Sequence, residues 1–180
     1  MVIAISGKSG CGNTSVSRIV AETLGLTRIN YTFHDIAEEQ NIPFKEFHEM
    51  ADKDTKWDLY LDKRQVELAS QGNCVLGSRL AIWLLEDADL KVYLEGAIEV
   101  RAKRIRKREG GAYEEVLRET KERDEKDHAR YLDLYGIDTK EYGFADLIVN
   151  VEELNQYQVA ERIVQRAREI GGRSSNTEKE

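Results

Sequence analysis

A short apolar run that ends in closely spaced glycines and passes directly into an amphipathic segment leaves a chain few ways to fold. Here the run is Val2-Ile3-Ala4-Ile5, followed by Ser6-Gly7-Lys8-Ser9-Gly10-Cys11-Gly12-Asn13-Thr14-Ser15 and then by Val16 to Leu24. The pattern predicts a buried strand, a tight loop and a helix. Glycines at 7, 10 and 12 let backbone N–H groups turn inward, and the helix N-terminus adds partial positive charge, so the loop is a cradle for an anion. The phosphate-loop pattern asks for Gly, four residues, Gly, Lys, then Ser or Thr. Gly7, Gly12 and Thr14 meet it, whereas Asn13 stands at the lysine position. Gly7, Lys8, Ser9, Gly10, Cys11, Gly12, Asn13, Thr14 and Ser15 are the candidate donor-phosphate site, with the Thr14 hydroxyl as candidate Mg²⁺ ligand. Two sources of the missing charge stay open. Lys8 sends its ammonium back to the phosphate, or Lys8 is solvated and backbone amides with distant arginines carry the load. Cys11, inside the loop, has either a thiol made acidic by the helix dipole and nearby cations or only a small buried side chain.

Further along, Leu26–Tyr31, Cys74–Gly77, Leu90–Leu94 and Asp146–Asn150 are expected as strands two to five. Helices are expected over Phe33–Gln40, Phe44–Met50, Trp57–Ser70, Ser78–Glu86, Ile98–Arg108, Tyr113–Tyr135 and Gln156–Ile170. Strands alternating with helices imply an α/β fold on a parallel sheet, with ligands beyond the carboxyl ends of the strands. One domain over residues 1–170 is expected, followed by a disordered tail over 171–180.

The net charge of −7 makes nonspecific binding to a nucleic-acid polymer or an acidic membrane a poor default. Two cysteines without metal-ligand spacing fit a reducing compartment, and no apolar run approaches the ~20 residues of a membrane span, so a cytoplasmic protein is expected. His34, His48 and His128 show no ligand spacing.

Against this acidic background the local cations stand out. Arg79 lies just past the third strand, where a planar fork would meet a ligand beside the loop; the plain alternative is a surface arginine. Arg101, Lys103, Arg104, Arg106, Lys107 and Arg108 put six cations into eight residues. Arg101, Arg104 and Arg108 share a helical face, and a polyphosphate is the economical partner for part of that charge. Gly110-Gly111 then breaks the helix, as a hinge would, before Arg118, Arg123 and Arg130. A lid that brings arginines over a transferring phosphoryl group is the expected device.

These residues resemble those of the nucleoside monophosphate kinases, most closely the archaeal-type cytidylate kinases and the cytidylate kinase-like family. The resemblance spans Val2 to about Ile170. Beyond the loop it rests on Phe44-x-x-Phe47-x-x-x-Ala51, Asp62-x-x-Gln65, Gly77-Ser78-Arg79-Leu80-Ala81-x-Trp83, Ala88-Asp89-Leu90-Lys91-x-Tyr93-Leu94, Glu99-Val100-Arg101-x-x-Arg104-Ile105, Arg108-Glu109-Gly110, Glu119-Thr120-x-x-Arg123, Arg130-Tyr131, Tyr135-Gly136-Ile137-Asp138 and Asp146-Leu147-Ile148. It implies a three-layer P-loop NTPase fold with a five-stranded parallel sheet, a helical monophosphate-binding insertion at about 33–70 and a lid at about 106–123. The implied reaction is ATP-dependent, Mg²⁺-assisted phosphoryl transfer to CMP or dCMP.

Carried over residue by residue, Arg79 would touch the acceptor, Arg104 and Arg108 would belong to the lid, and Arg123 and Arg130 would reach phosphates. Asp62 and Gln65 would face the cytosine edge, with His34 where the family carries an arginine. Gly77 sits where some relatives carry an acid that organises Mg²⁺. The expected partners are nucleotides, with no nucleic-acid polymer and no membrane, and the expected state is a monomer or weak dimer. Asn13 and Gly77 motivate one alternative, a nucleotide-binding pseudo-kinase. A P-loop kinase with another small acceptor is the other.

Overall fold

The computed structural model describes the backbone of residues 1–177 and the side chains of residues 1–172. Five parallel strands, β1 (Val2–Gly7), β2 (Thr27–Ile29), β3 (Cys74–Gly77), β4 (Leu90–Glu95) and β5 (Leu147–Asn150), form one sheet in the order β2-β3-β1-β4-β5. The register is direct: Ile3 pairs with Val75 on one side and Leu90 on the other, and Ser6 faces Tyr93. The sheet is therefore that of the expected α/β P-loop fold.

Alternation along β1 divides the core between two faces. Ile3 and Ile5 pack with Val16 and Val20 of α1 (Asn13–Leu24) and with Val159, Ile163 and Ala167 of the last helix. Ala4 faces the other way, into a cluster holding Leu76, Ala81, Ile82 and Tyr93. Side chains two apart share a face of a strand, so the near-continuous apolar run of β1 marks a strand buried on both sides.

Three helices lie between β2 and β3: α2 (Phe33–Glu39), α3 (Phe44–Ala51) and α4 (Lys56–Ala69). They have a small core of their own in Ile36, Ala37, Phe47 and Ala51, extended by Trp57, whose ring meets that of Phe47 edge-on at 4.9 Å. Thr32 starts α2 with a reciprocal capping box to Asp35, which satisfies two otherwise free donors of the first turn. After β3 comes α5 (Ala81–Leu84), then β4, α6 (Ile98–Glu109), α7 (Tyr113–Tyr135), β5 and α8 (Gln156–Thr177). Ala102 and Ile105 of α6 pack on Val116 of α7, so the two arms beside Gly110-Gly111 share a core.

Among the elements after α1, three differ from the sequence reading by more than one residue at an end. Strand β2 is shorter than Leu26–Tyr31 because Gln65 Nε2 donates to the Tyr31 carbonyl at 2.9 Å, drawing the chain off the sheet. Helix α5 is only Ala81–Leu84, since Leu80 leaves helical geometry and the buried Ser6 hydroxyl accepts the Ile82 N–H at 3.1 Å. The last helix runs on from Ile170 through Gly171 and Gly172 to Thr177, where a disordered tail was expected; residues 178–180 lie outside the described residues. Gly171 approaches Met1 there, a Cβ at that position falling 3.6 Å from Met1 Cε.

Candidate active site

The site is lined from the carboxyl ends of β1 and β3, from α6 and α7 above them, and from residues 154–159 at the start of α8. Between β1 and α1 the chain doubles back, with Cys11 N–H donating to Lys8 O at 3.1 Å. Gly10 and Gly12 take φ of 87° and 102°, the left-handed region in which a side chain is strained. Gly12 is the N-cap of α1, which has no side-chain cap and no acidic residue in its first turn. Its leading N–H groups therefore point, unsatisfied by side chains, into a cleft of about 810 Å³.

The loop's shape is set from behind. Arg101, 3% exposed, donates through Nε to Gly96 O at 3.0 Å and through Nη1 to Ser9 O at 3.1 Å. Both its terminal nitrogens also reach Asp124, at 3.1 and 2.6 Å. A Cβ on Gly10 would fall 2.9 Å from the Arg101 Cβ and carbonyl oxygen, so only glycine fits. Arg101 is thus a buried prop beneath the loop, which corrects its expected place on a phosphate-facing side of α6.

Asn13 does not reach outward as a loop lysine would. Its Nδ2 donates to Gly7 O at 2.6 Å, and its buried Oδ1 has no partner. Gly77 has a packing reason. A Cβ there would meet Ser17 Oγ at 2.5 Å, Ser17 Cβ at 2.6 Å and Asn13 O at 2.9 Å, so α1 lies directly on β3 and no acid fits. Cys11 is buried, and desolvation pushes its thiol up to about 11 despite nearby Arg101 and Arg104. Of the two readings of Cys11, the small buried side chain is the one the structure supports, because burial outweighs the cations.

The structure brings together on one cleft the whole loop from Lys8 through Ser15 with Arg79, Arg104, Arg108 and Arg123. Thr14 is exposed there, and Arg123 Nη1 lies 3.5 Å from Ser9 Oγ. Arg104 faces differently from a lid arginine: it donates to the carbonyls of Val151 and Leu154, at the wall formed by residues 154–157. Arg108 pairs with the adjacent Glu109 at 2.5 Å. Arg79 pairs with Asp127 at 2.8 Å, and Arg130 with Asp127 at 3.3 Å and Asp58 at 3.1 Å. Arg130 lies beside Arg123 in a neighbouring depression with Asp127.

The residues expected on the acceptor base are more scattered. Asp62 accepts the Tyr135 hydroxyl at 2.5 Å, and burial lifts its carboxyl to about 6, with Asp58 adding to the rise. Gln65 is 8% exposed; its Nε2 serves Tyr31 O while its Oε1 is buried without a partner. His34 stacks on Phe44 with ring centroids 3.4 Å apart, on the exposed side of α2, and does not line the cleft. The sequence reading missed Asp58, Asp124 and Asp127, the carboxylates that hold the arginines. For Asp124 and Asp127 the signal was present, because Arg123, Asp124, Asp127, Arg130 and Tyr131 recur at helical spacing along one side of α7.

With a phosphate loop, a cleft of arginines and a helical insertion before β3 in place, comparison with known proteins is decisive. The family model described as the cytidylate kinase-like family matches residues 2–153. The chain belongs to that family. Among its relatives, Cytidylate kinase 2 of Borrelia garinii subsp. bavariensis is 54% identical over 167 residues, covering 91% of this chain and 94% of that one. The cytidylate kinase of Pyrococcus horikoshii is 36% identical over 185 aligned positions, covering 100% and 96%. Solved structures share the fold at low identity. A shikimate kinase from Bacteroides thetaiotaomicron gives a TM-score of 0.61 at 18% identity, covering 94% of this chain and 97% of that one. A deoxyadenosine kinase from M. mycoides with bound dATP gives 0.58 at 20%, covering 93% and 100%. This family member has no helix among its described residues long and apolar enough to cross a membrane.

Proposed function

We propose that this chain transfers a phosphoryl group from ATP to CMP or dCMP. One observation carries the reading: a loop of inward-turned amides at the N-terminus of α1 opens on a cleft lined by Arg79, Arg104, Arg108 and Arg123, of which Arg79 and Arg108 are paired with the chain's own carboxylates. An oxyanion of a nucleotide can compete for those guanidinium groups, whose planar fork suits a phosphate.

The amides of residues 10–15 would hold the donor phosphates, and Arg108 and Arg123 would neutralise the phosphoryl group in flight. Arg79 and Arg130 would take the acceptor phosphate, leaving Asp127 and Asp58. Arg104, tied to two carbonyls, would instead form a flat wall for the donor base. Gln65 Oε1, an acceptor without a donor, suits the exocyclic amine of cytosine. Positioning and positive charge supply most of the catalysis in such a transfer, so no strong protein base is needed.

Magnesium fits the residues present as an ion brought by the nucleotide. The exposed Thr14 hydroxyl opens on the cleft, no acid fits at Gly77, and no cluster of three metal-ligating side chains occurs among the described residues. When bound, the ion supplies charge between the donor phosphates. The pseudo-kinase alternative draws on Asn13 and Gly77, but the packing of α1 on β3 accounts for Gly77 independently of catalysis.

The test is ADP release with ATP and Mg²⁺ across CMP, dCMP, UMP and AMP, with Arg123→Ala beside the wild type. Release with CMP or dCMP and a loss of about a hundredfold or more in kcat for the variant is expected. Absence of release with every acceptor refutes the reading, and release with a different acceptor replaces the substrate.

A further inference from the structure

The cleft lacks a cation at position 13, yet one cation of the loop is placed where it costs little to move. Lys8 Nζ lies 3.7 Å from Asp124 Oδ2, with the lysine side chain 42% exposed on the cleft. Asp124 is not free to follow it. Both its oxygens are engaged by Arg101, itself buried and bonded to Ser9 O and Gly96 O. The carboxylate is therefore pinned behind the loop, and Lys8 holds only an outer, single-point contact on it. At 3.7 Å this contact is longer than the 2.6 Å Arg101–Asp124 pair, and the ammonium on its flexible stem can turn from it to a phosphate oxygen.

Two of the other cations that line the cleft are held more tightly, and Arg108 and Arg123 reach it from α6 and α7 rather than from the loop. Arg104 is bound by two carbonyls, and Arg79 has a short contact to Asp127. Asn13 is neutral and folded back onto Gly7 O. A lysine ammonium is a compact charge with three donors on a flexible stem, suited to following a phosphate as it moves.

Resting on the kinase reading above, we infer that Lys8 supplies the donor-phosphate cation that the loop lacks at position 13, with Asp124 as the positioning residue that holds it at the cleft. The ligand class is the β- and γ-phosphates of a nucleoside triphosphate. Arg123, the residue before Asp124, is aimed at Ser9 by the same anchor, so one point on α7 orients two cations.

The experiment compares wild type, Lys8→Ala, Asp124→Asn and the double variant, by steady-state kinetics and by calorimetric titration with a non-hydrolysable ATP analogue and Mg²⁺. Lys8→Ala is exposed and keeps the fold. It is expected to lose tenfold to a hundredfold in kcat/KM for ATP and to bind the triphosphate analogue at least tenfold more weakly. Lys8→Cys, S-aminoethylated at its exposed thiol while Cys11 and Cys74 stay buried, is expected to recover most of that loss. If Asp124 positions Lys8, Lys8→Ala costs less in the Asp124→Asn background than in wild type, the rest of the Asp124→Asn loss passing through Arg101 and Arg123. Wild-type kinetics and affinity in Lys8→Ala overturn the assignment of Lys8 while leaving the kinase reading intact. Independent, multiplying effects overturn the role of Asp124. A wild type that binds the analogue but transfers nothing to CMP defeats the kinase reading, and the calorimetric comparison then decides Lys8 alone. No binding by wild type overturns both.

Discussion

Replacing Gly77 by alanine tests whether the first helix really rests on the third strand. The added Cβ would stand 2.5 Å from Ser17 Oγ, 2.6 Å from Ser17 Cβ and 2.9 Å from Asn13 O. Two of those atoms are a side-chain tip and its root, and the third is backbone, so no rotamer change of Ser17 relieves the whole overlap. The helix must lift away from β3 by several tenths of an ångström. Overpacking of this kind costs about 1–3 kcal/mol, and the backbone contact puts Gly77→Ala in the upper half of that range, about 2–3 kcal/mol. For a chain of this size each kcal/mol lowers Tm by about 2–4 °C, so a fall of about 4–12 °C is expected. Because Asn13 O belongs to the first turn of α1, the same displacement moves the phosphate amides, and kcat/KM for ATP should fall with stability. Urea unfolding and ADP-release kinetics are measured on Gly77→Ala and on Gly77→Ala/Ser17→Gly. The second change removes the Ser17 clash but not the Asn13 clash, so it should restore stability only in part. Unchanged stability and kinetics in Gly77→Ala would refute the packing argument and return Gly77 to a question of lost chemistry.

Three further outcomes are expected. Asp62, raised from 3.8 to about 6 in the folded chain, keeps a proton that the unfolded chain has already lost, so stability falls as pH rises between those values. Full ionisation then costs up to about 3 kcal/mol. Asp62→Asn, which still accepts the Tyr135 hydroxyl, should therefore be more stable than wild type above pH 6 and equal to it near pH 4 by chemical denaturation. Cys11, its thiol pushed up to about 11 by burial, and Cys74, also raised by burial, should give no colour with an aromatic disulfide reagent at pH 8 until denaturant is added. Arg130→Ala should raise KM for the acceptor about tenfold to a hundredfold, the equivalent of a charged hydrogen bond of about 1.5–3 kcal/mol, with little change in KM for ATP; equal changes in both would remove Arg130 from the acceptor side.

Local signals account for most of what the sequence made legible. Val2–Gly7, Cys74–Gly77 and the uninterrupted Tyr113–Tyr135 follow from apolar runs, glycines and helical periodicity, all written in neighbouring residues. Ser78–Glu86 has equal helical character but gives only Ala81–Leu84, because Ser78 N–H is taken by Ile5 O of β1 and Leu80 leaves helical geometry. The site divides the same way. The loop glycines announce themselves by spacing, whereas Arg101 and Arg104, three residues apart on one basic helix, have opposite fates. Arg101 is sunk against Asp124, and Arg104 is turned to the carbonyls of Val151 and Leu154. Nothing within α6 distinguishes them, since the partners that decide lie 23 and 47 positions away.

Helix α7, 23 residues and about 35 Å long, meets the β1–α1 loop at Arg123 and Asp124 and helix α4 at Arg130 and Tyr135. An α-helix turns about 100° per residue, so it fixes rotational phase as well as distance between those contacts. Inserting one residue between Asp124 and Asp127 would leave the loop contacts in place and swing Asp127, Arg130 and Tyr135 about a quarter-turn off Asp58 and Asp62. Point substitutions along that interval are tolerable where a change of length is not, and the spacing of the β1–α1 loop from helix α4 is kept by counting residues on a single rod.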